Sequence, residues 1–266
     1  MKDVDPLLTP IVTACDQAYL PGLRALLRSL FEHCPRRRVC VIDCGISELD
    51  KSQLAHAYRS IEFRSAPNSS SLPAPSVGSR ATYARLWIGA LFELHARMIY
   101  LDSDVVVLQG LEELDSLVLQ CGMAVAACVE PYTPTFDSLN GVADHARLGI
   151  EAATPYFNAG VMVVDVQRWN RLGIMGAAIE YLERPDVRIS LFDQEALNVA
   201  LRGRWQPLVP EWNVSRYWLH EARRVSRPDI LERAKIVHFL SGEKPWTDPT
   251  KVDPRLLQHY LRYAEC

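Results

Sequence analysis

The sequence of 266 residues is poor in lysine and has no long apolar run. Only five of the 29 basic residues are lysine, namely Lys2, Lys51, Lys235, Lys244 and Lys251. No stretch approaches the roughly 18–20 apolar residues that a membrane-spanning helix needs. The formal net charge of −3 argues against a broad nucleic-acid-binding surface. With 48% hydrophobic residues, the chain has enough apolar material for a continuous core.

The cysteines form no recognisable framework. The chain has 7 of them, an odd number, and they include no Cys-x-x-Cys pair. This spacing argues against a set of disulfides or a structural zinc site and fits reduced thiols. Residues 1–6 also lack the basic end and the apolar stretch of a signal peptide. We therefore expect a cytoplasmic protein with no transmembrane span.

Short apolar runs alternate with segments of helical period along most of the chain. Strands are predicted at residues 7–14, 39–42, 61–64, 98–101, 105–108, 123–129, 160–166 and 236–239. Helices are predicted after Pro21 and at residues 47–58, 79–94, 167–184 and 193–201. We interpret the Pro- and Ser-rich stretch 66–78 as a mobile loop beside a binding site. The alternation favours parallel βαβ units in a single α/β domain.

Two carboxylates follow one of these strands directly, in Asp102-Ser103-Asp104. Ligands of open α/β sheets collect beyond the carboxyl ends of the strands, so a charged site is expected here. Paired carboxylates repel each other unless a cation or a hydrogen-bond network compensates them. Because the chain has 16 Asp, chance alone gives about one Asp-x-Asp. A metal site and an unremarkable acidic pair both stay open on this motif alone.

A second polar group follows the strand at 236–239. His238 ends that strand, and Gly242 and Lys244 lie in the loop after it. Histidine can complete a metal site begun by carboxylates, and mixed nitrogen and oxygen ligands suit manganese better than calcium. Lysine and the backbone amides of a glycine loop suit a phosphate. The alternative is a buried histidine beside a surface lysine.

Three further segments each have a structural and a functional interpretation. Asn158 lies in a predicted Asn-Ala-Gly turn that would let a ligand approach the backbone. Asp193 is a candidate helix N-cap, which is compatible with a catalytic role. Asp16 and Tyr19 lie where the first strand meets the first helix. Either they bind a nucleoside, or Asp16 caps the helix. A basic cluster of Arg216, Arg223, Arg224 and Arg227 is either a solvated face or a contact for an anionic acceptor or lipid headgroup.

In order and spacing, these motifs resemble glycosyltransferase family 8, which includes glycogenin, bacterial lipopolysaccharide α-galactosyltransferases and galactinol synthases. The resemblance extends over about residues 11–246. Its most specific segments are Arg85-Leu86, Tyr100-Leu101-Asp102-Ser103-Asp104, Phe157-Asn158-Ala159-Gly160, Asp193-Gln194, and His238 through Lys244-Pro245-Trp246.

The resemblance implies a GT-A fold, with a Rossmann-like nucleotide-binding sheet, mixed central strands and flanking helices. Residues 1–266 would form a single domain, with a donor-nucleotide half at about 7–110 and a sugar and acceptor half at about 111–250. The implied donor is UDP-glucose or UDP-galactose, held by Mn²⁺ or, as a second choice, Mg²⁺. A hexose would pass to an acceptor hydroxyl with retention of configuration and release of UDP. The acceptor is a glycan, a lipid-linked sugar or a small molecule, and peripheral membrane contact is compatible with it.

The resemblance also implies roles for individual residues. Asp102, Asp104 and His238 match the metal ligands of the family. The donor nucleotide would be bound by Ala14, Asp16, Tyr19, Ser103, Gly242 and Lys244, in addition to Asp102.

The donor sugar would be surrounded by Arg85, Asn158, Asp193 and Gln194. We expect a same-face attack with Gln194 lining the β face of the sugar, and Asp193 is the nearest candidate for a covalent nucleophile. Glu130 lies near where acceptor contacts are expected.

Two departures from the family pattern affect the nucleotide and phosphate segments. Ala18 replaces an Asn found in many members, and Ser241 replaces a common glycine. Two alternative functions stay open. A catalytically inactive sugar-nucleotide-binding relative would usually have lost a metal ligand or the lysine, and here all are present. A nucleotidyltransferase would want a basic, glycine-rich loop after the first strand, whereas residues 15–22 contain no basic residue.

Overall fold

A computed structural model describes residues 4–75, 79–220, 227–240 and 242–264. Its strands are β1 (Ile11–Cys15), β2 (Val39–Asp43), β3 (Ile61–Ser65), β4 (Arg97–Leu101), β5 (Val105–Val107), β6 (Val125–Val129), β7 (Phe157–Asp165), β8 (Trp205–Pro207) and β9 (Ile236–His238). Its α-helices are α1 (Leu20–His33), α2 (Glu48–Ala57), α3 (Ile88–Leu91), α4 (Glu112–Asp115), α5 (Val166–Arg171), α6 (Ile174–Leu182), α7 (Phe192–Leu201) and α8 (Pro254–Leu261). Within these described residues, every helix is too short or too polar to span a bilayer.

The chain divides into two compact units, each built from separate stretches of sequence. Unit 1 contains Met1–Ser65, Ile99–Leu117 and Val209–Cys266. Unit 2 contains Ala66–Met98 and Val118–Leu208.

Parallel strands form the centre of unit 1. β1 pairs in parallel with β2 on one side and with the unit 1 part of β4 on the other, and β2 pairs in parallel with β3. All five residues of β1 are buried, because a central strand of a parallel sheet is covered on both faces. The predicted βαβ alternation is confirmed here. β1 is shorter than the predicted 7–14 and begins just after Pro10, which has no N–H for a sheet.

The helices of unit 1 begin where their sequence signals indicate. Pro21 lies in the first turn of α1, where its missing N–H costs nothing, and Ser47 caps α2 by accepting from the Asp50 amide. A buried ion pair anchors the α1–β2 connection: Arg37, 2% exposed, contacts Asp115 at 2.6 Å. The N–H of Thr9 also donates to the Asp115 carboxylate.

Unit 2 contains an antiparallel pair and corrects one prediction. β6 and β7 are antiparallel, with Val125 opposite Val164, and β6 is parallel to β8. Asn158, predicted in a turn, lies inside β7, whose first eight residues are all buried. The prediction was wrong because glycine and asparagine favour turns in isolation, whereas here the pairing of Phe157 with Val129 extends the strand.

Two predicted helices of unit 2 are interrupted. The helix at 79–94 is instead a 3₁₀ helix, Arg80–Trp87, followed by the single turn of α3. The helix at 167–184 is divided into α5 and α6 by Gly173, whose φ of 62° is left-handed and ends the first helix. The short strand β8 was not predicted from the sequence.

Candidate active site

The pairing of β5 with β9 creates a cluster of opposite charges in unit 1. Val105 lies opposite His238, so the histidine is brought beside the residue that precedes Val105, which is Asp104. The Phe239 amide donates to the backbone oxygen of Asp104 at 3.0 Å and fixes this register. We call Asp102, Asp104, His238 and Lys244 the cation cluster.

Three members of the cation cluster converge as metal ligands do. Nε2 of His238 lies 3.2 Å from Oδ1 of Asp104 and 3.6 Å from Oδ2 of Asp102. One ligand atom from each of the three residues lies within 4.8 Å of the other two. Asp102 also accepts from the Tyr100 hydroxyl at 3.0 Å, which orients its carboxylate. The three predicted metal ligands therefore meet at one place.

The buried histidine passes a direct test of fit to a metal. His238 is 1% exposed, and its Nδ1 lies 2.9 Å from Oδ1 of Asn213. With the proton assigned to Nδ1 by this contact, Nε2 keeps its lone pair toward the two carboxylates. Nε2 is buried and makes no hydrogen bond in the structure. An orphaned ring nitrogen facing two carboxylates fits a divalent cation, and Asn213 is the orienting residue that the sequence analysis missed.

Lys244 shares a carboxylate with this candidate metal site. Its Nζ lies 2.6 Å from Oδ2 of Asp104 and donates to the backbone oxygen of Phe239 at 2.8 Å. The ammonium also lies 5.5 Å from the centre of the Tyr19 ring. Burial works against the charge, but Asp104 outweighs it and raises the pKa of Lys244. Burial likewise favours a neutral Asp104, but the Lys244 ammonium holds its pKa well below the usual range. Both side chains are therefore charged at neutral pH.

Trp246 and Gly22 determine how the segments around Lys244 pack against one another. Trp246 donates from its indole N–H to the Ala18 oxygen at 3.1 Å, and its ring meets Tyr19 edge-on at 5.6 Å. A Cβ on Gly22 would come within 2.5 Å of the Trp246 ring and 2.6 Å of the Ser103 oxygen. Gly22 therefore allows the start of α1 to approach the Asp-x-Asp loop closely. This role could not be predicted from the sequence, where Gly22 only follows Pro21.

The predicted nucleoside residues lie at the end of β1, where Asp16 caps the 3₁₀ turn that precedes α1 and not α1 itself. Asp16 caps the 3₁₀ turn Gln17–Tyr19 by accepting from the Tyr19 amide at 3.1 Å. Ala14 and Ser103 are buried. Gly242 is described, but Ser241, the departure in the phosphate loop, lies outside the described residues. The nucleotide roles of these residues stay predictions.

A second polar cluster lies in unit 2 and is centred on Arg85. Nε of Arg85 lies 2.8 Å from Oδ2 of Asp193, and its Nη1 donates to the Ala159 oxygen at 2.8 Å. The Thr82 hydroxyl donates to the other oxygen of Asp193. Asp193 is not an N-cap, because α7 begins one residue earlier, at Phe192. Its carboxylate is instead 4% exposed and engaged on both oxygens.

A buried glutamate joins the two predicted amide residues of this cluster. Oε2 of Glu130 accepts from Nδ2 of Asn158 at 2.6 Å and from Nε2 of Gln194 at 3.4 Å. Oε1 of Gln194 in turn accepts from the Ala159 amide at 3.1 Å. Glu130 is 5% exposed, so it orients the two amides inside the protein. We call Arg85, Glu130, Asn158, Asp193 and Gln194 the unit 2 cluster.

Asn198 ties helix α7 to strand β7. Its side chain exchanges two hydrogen bonds of 2.9 Å with the backbone of Phe157 and donates a third to the Gln194 oxygen. This double contact fixes the helix that carries Asp193 and Gln194. Asn198 was not predicted as a site residue, since nothing in its local pattern distinguishes it from any helical asparagine.

The structure describes two of the four arginines of the predicted basic cluster, Arg216 and Arg227. Arg216 lines a cleft of about 310 Å³ that also reaches His238. Arg227 lies 3.6 Å from the buried carboxylate of Glu211. Arg223 and Arg224 lie outside the described residues.

Comparison with known proteins gives a family match over most of the chain. The family description "Glycosyl transferase family 8" matches residues 10–250. The chain is 30% identical to general stress protein A of Bacillus subtilis, over 96% of this chain and 93% of that protein. It is 31% identical to the lipopolysaccharide 1,2-glucosyltransferase of Escherichia coli, over 66% of this chain and 52% of that protein.

The fold has solved counterparts. A structure of the galactosyltransferase LgtC with donor and acceptor sugar analogues has a TM-score of 0.79 and 24% identity to this chain, and the match covers 96% of this chain and 95% of LgtC. This likeness confirms the predicted mixed α/β, GT-A type fold. The chain belongs to glycosyltransferase family 8.

Proposed function

We propose that the protein transfers a hexose from UDP-glucose or UDP-galactose to an acceptor hydroxyl, with retention of configuration and release of UDP. The observation that carries the proposal is the convergence of Asp102, Asp104 and the orphaned nitrogen of His238 beside Lys244. Relatives named as a glucosyltransferase and a 1,3-galactosyltransferase support a hexose as the group transferred. The cytoplasmic location stays a prediction from the sequence.

The cation cluster would hold the diphosphate of the donor. Asp102, Asp104 and His238 would bind a divalent metal, Mn²⁺ first and Mg²⁺ second, because a nitrogen with two carboxylates suits these ions. A bound metal supplies electrostatic stabilisation of the charge that develops on the departing phosphate. Lys244 would supply a second, fixed positive charge for the same phosphate.

The unit 2 cluster would hold the sugar. One oxygen of Asp193 accepts a hydrogen bond from Thr82 and the other forms an ion pair with Arg85, which favours an orienting role over covalent attack. Gln194 is fixed by Ala159 and Glu130, so its amide can line one face of the sugar without moving. We therefore favour same-face attack through an oxocarbenium-like state, with the leaving phosphate taking the proton of the acceptor hydroxyl.

Thermal shift measurements with a panel of nucleotides test the donor. The panel contains UDP, GDP, UDP-glucose, UDP-galactose and UDP-N-acetylglucosamine, each with and without Mn²⁺. We expect the largest stabilisation from a UDP-hexose with Mn²⁺, followed by measurable hydrolysis or transfer. A preference for GDP, or binding that ignores the metal, would contradict the proposed donor.

Matched variants of two aspartates test the metal ligands. Asp104→Ala should abolish Mn²⁺-dependent turnover because it removes a ligand and the partner of Lys244. Asp115→Ala is the control, since it also removes an aspartate from an ion pair of unit 1 but lies outside the cation cluster. Equal losses of turnover in the two variants at equal stability would count against the metal assignment.

A further inference from the structure

Glu195 is a fully buried carboxylate that the proposed reaction does not use. It follows Gln194 on α7 and is 0% exposed. Its Oε1 accepts from the Tyr181 hydroxyl at 2.6 Å. Its Oε2 accepts from the backbone amides of Ser190 at 2.7 Å and Leu191 at 3.1 Å. All three partners donate, so the side chain acts purely as an acceptor.

These bonds replace the cap that α7 lacks. Leu191 occupies the N-cap position, and its side chain makes no capping hydrogen bond. Free amides at a helix start need partners, and a glutamate in the first turn commonly reaches back to supply one. Here Glu195 reaches back to two amides outside the helix and draws residues 190–191 against its first turn.

The residue between these anchors has a strained backbone. Phe192 has a φ of 44°, in the left-handed region that side chains other than glycine rarely adopt. It lies between Leu191, held by Glu195, and Asp193, held by Arg85. Such conformations persist only where the surroundings fix them, and they concentrate at functional sites.

We propose that Glu195 is a positioning residue, which holds the strained turn at Phe192 so that Asp193 and Gln194 face the donor sugar. The inference rests on the proposed function. Loss of Glu195 would leave the body of α7 in place, because Asn198 anchors it independently to β7. The first turn would lose its anchor at residues 190–191, and Asp193 and Gln194 would keep only their own side-chain contacts, which do not fix the backbone of the turn.

Steady-state kinetics of three variants test this role. Glu195→Ala should lower kcat about a hundredfold with the KM for the donor little changed, as expected for a misplacement near 1 Å. Glu195→Gln should keep most of the wild-type kcat, because its amide oxygen can accept from the backbone and its NH₂ can donate to the Tyr181 oxygen. Tyr181→Phe, a milder variant in case Glu195→Ala fails to fold, should have an intermediate kcat. Tyr263→Phe is its control, a tyrosine hydroxyl of unit 1 bonded to His33.

Two outcomes would overturn the proposal. One is a wild-type kcat in Glu195→Ala. The other is a loss in Glu195→Gln as large as in Glu195→Ala, which would mean that the negative charge itself acts in catalysis.

A second measurement needs no substrate. Amide hydrogen exchange in the metal-free protein should accelerate at residues 190–194 of Glu195→Ala and stay unchanged at 198–201. Uniform exchange would overturn the inference. Absence of wild-type turnover with any UDP-hexose would instead refute the proposed function, and the exchange result would still decide the role of Glu195.

Discussion

Replacing Lys244 with methionine should strengthen the binding of Mn²⁺ to the nucleotide-free protein. Lys244 lies 2.6 Å from Asp104, so an incoming metal competes with it for that carboxylate. Methionine keeps most of the apolar stem and removes the charge. On the proposed function, the wild-type lysine would lower the metal affinity until the diphosphate of the donor gave the ammonium another partner.

The size of the effect follows from the contact that is lost. A hydrogen bond between charged groups contributes about 1.5–3 kcal/mol. At about 1.4 kcal/mol per factor of ten, Mn²⁺ should bind about ten- to a hundredfold more tightly to Lys244→Met. The free energy of unfolding of the metal-free variant should be lower by about 3–5 kcal/mol, because the buried Asp104 carboxylate has lost its partner.

Calorimetric titration of Mn²⁺ with and without UDP measures the Mn²⁺ affinity and its coupling to UDP binding. In the wild type, UDP should strengthen Mn²⁺ binding, and by thermodynamic linkage Mn²⁺ should strengthen UDP binding equally. In Lys244→Met this coupling should shrink. Lys51→Met is the control, since Lys51 forms an ion pair with Asp43 away from the cluster. If Lys244→Met without nucleotide binds Mn²⁺ more weakly than the wild type does, Lys244 does not compete with the metal for Asp104.

Three further predictions concern Lys244, the Arg37–Asp115 ion pair and Gly22. Lys244→Arg should lower kcat although it keeps the charge, because a planar guanidinium cannot replace a compact ammonium, and kinetics with the donor measure this. Asp115→Asn should destabilise the fold by about 3 kcal/mol at pH 7 in urea unfolding, because it leaves buried Arg37 unpaired. Arg37 lowers the pKa of Asp115 against the effect of burial, so its contribution is complete above the unfolded pKa of about 3.9 and is lost as the pH falls through the lower folded pKa. The difference between wild type and variant should therefore shrink only below about pH 4. Gly22→Ala should cost about 1–3 kcal/mol and weaken UDP binding in a thermal shift, because its Cβ would collide with the Ser103 oxygen.

The sequence predicted the parallel strands of unit 1 well, because β1, β2 and β4 are short and mostly apolar. It failed where long-range pairing outweighs local preference. Asn158 carries a turn signal, yet its segment is held inside β7 by β6. The opposite failure occurred at 167–184, where continuous helical spacing concealed the left-handed Gly173.

In the candidate site, too, the residues of local motifs were predicted and those that depend on long-range contacts were not. The motif residues Asp102, Asp104 and His238 were identified from order and spacing, and the structure brings them together. The residues that orient them were not identified, because contacts such as that of Asn213 with His238 depend on how separate segments fold together. Glu130 was expected near the acceptor contacts, which stays a prediction, and its contact with Asn158 inside unit 2 was not foreseen.

The binding of UDP as a function of Mn²⁺ in wild type and His238→Ala tests the central claim most directly. His33→Ala is the control, a partly buried histidine of unit 1 that contacts Tyr263. We expect Mn²⁺ to strengthen UDP binding in the wild type and in His33→Ala and to have no effect in His238→Ala. A Mn²⁺-dependent gain that persists in His238→Ala would contradict a metal site at Asp102, Asp104 and His238.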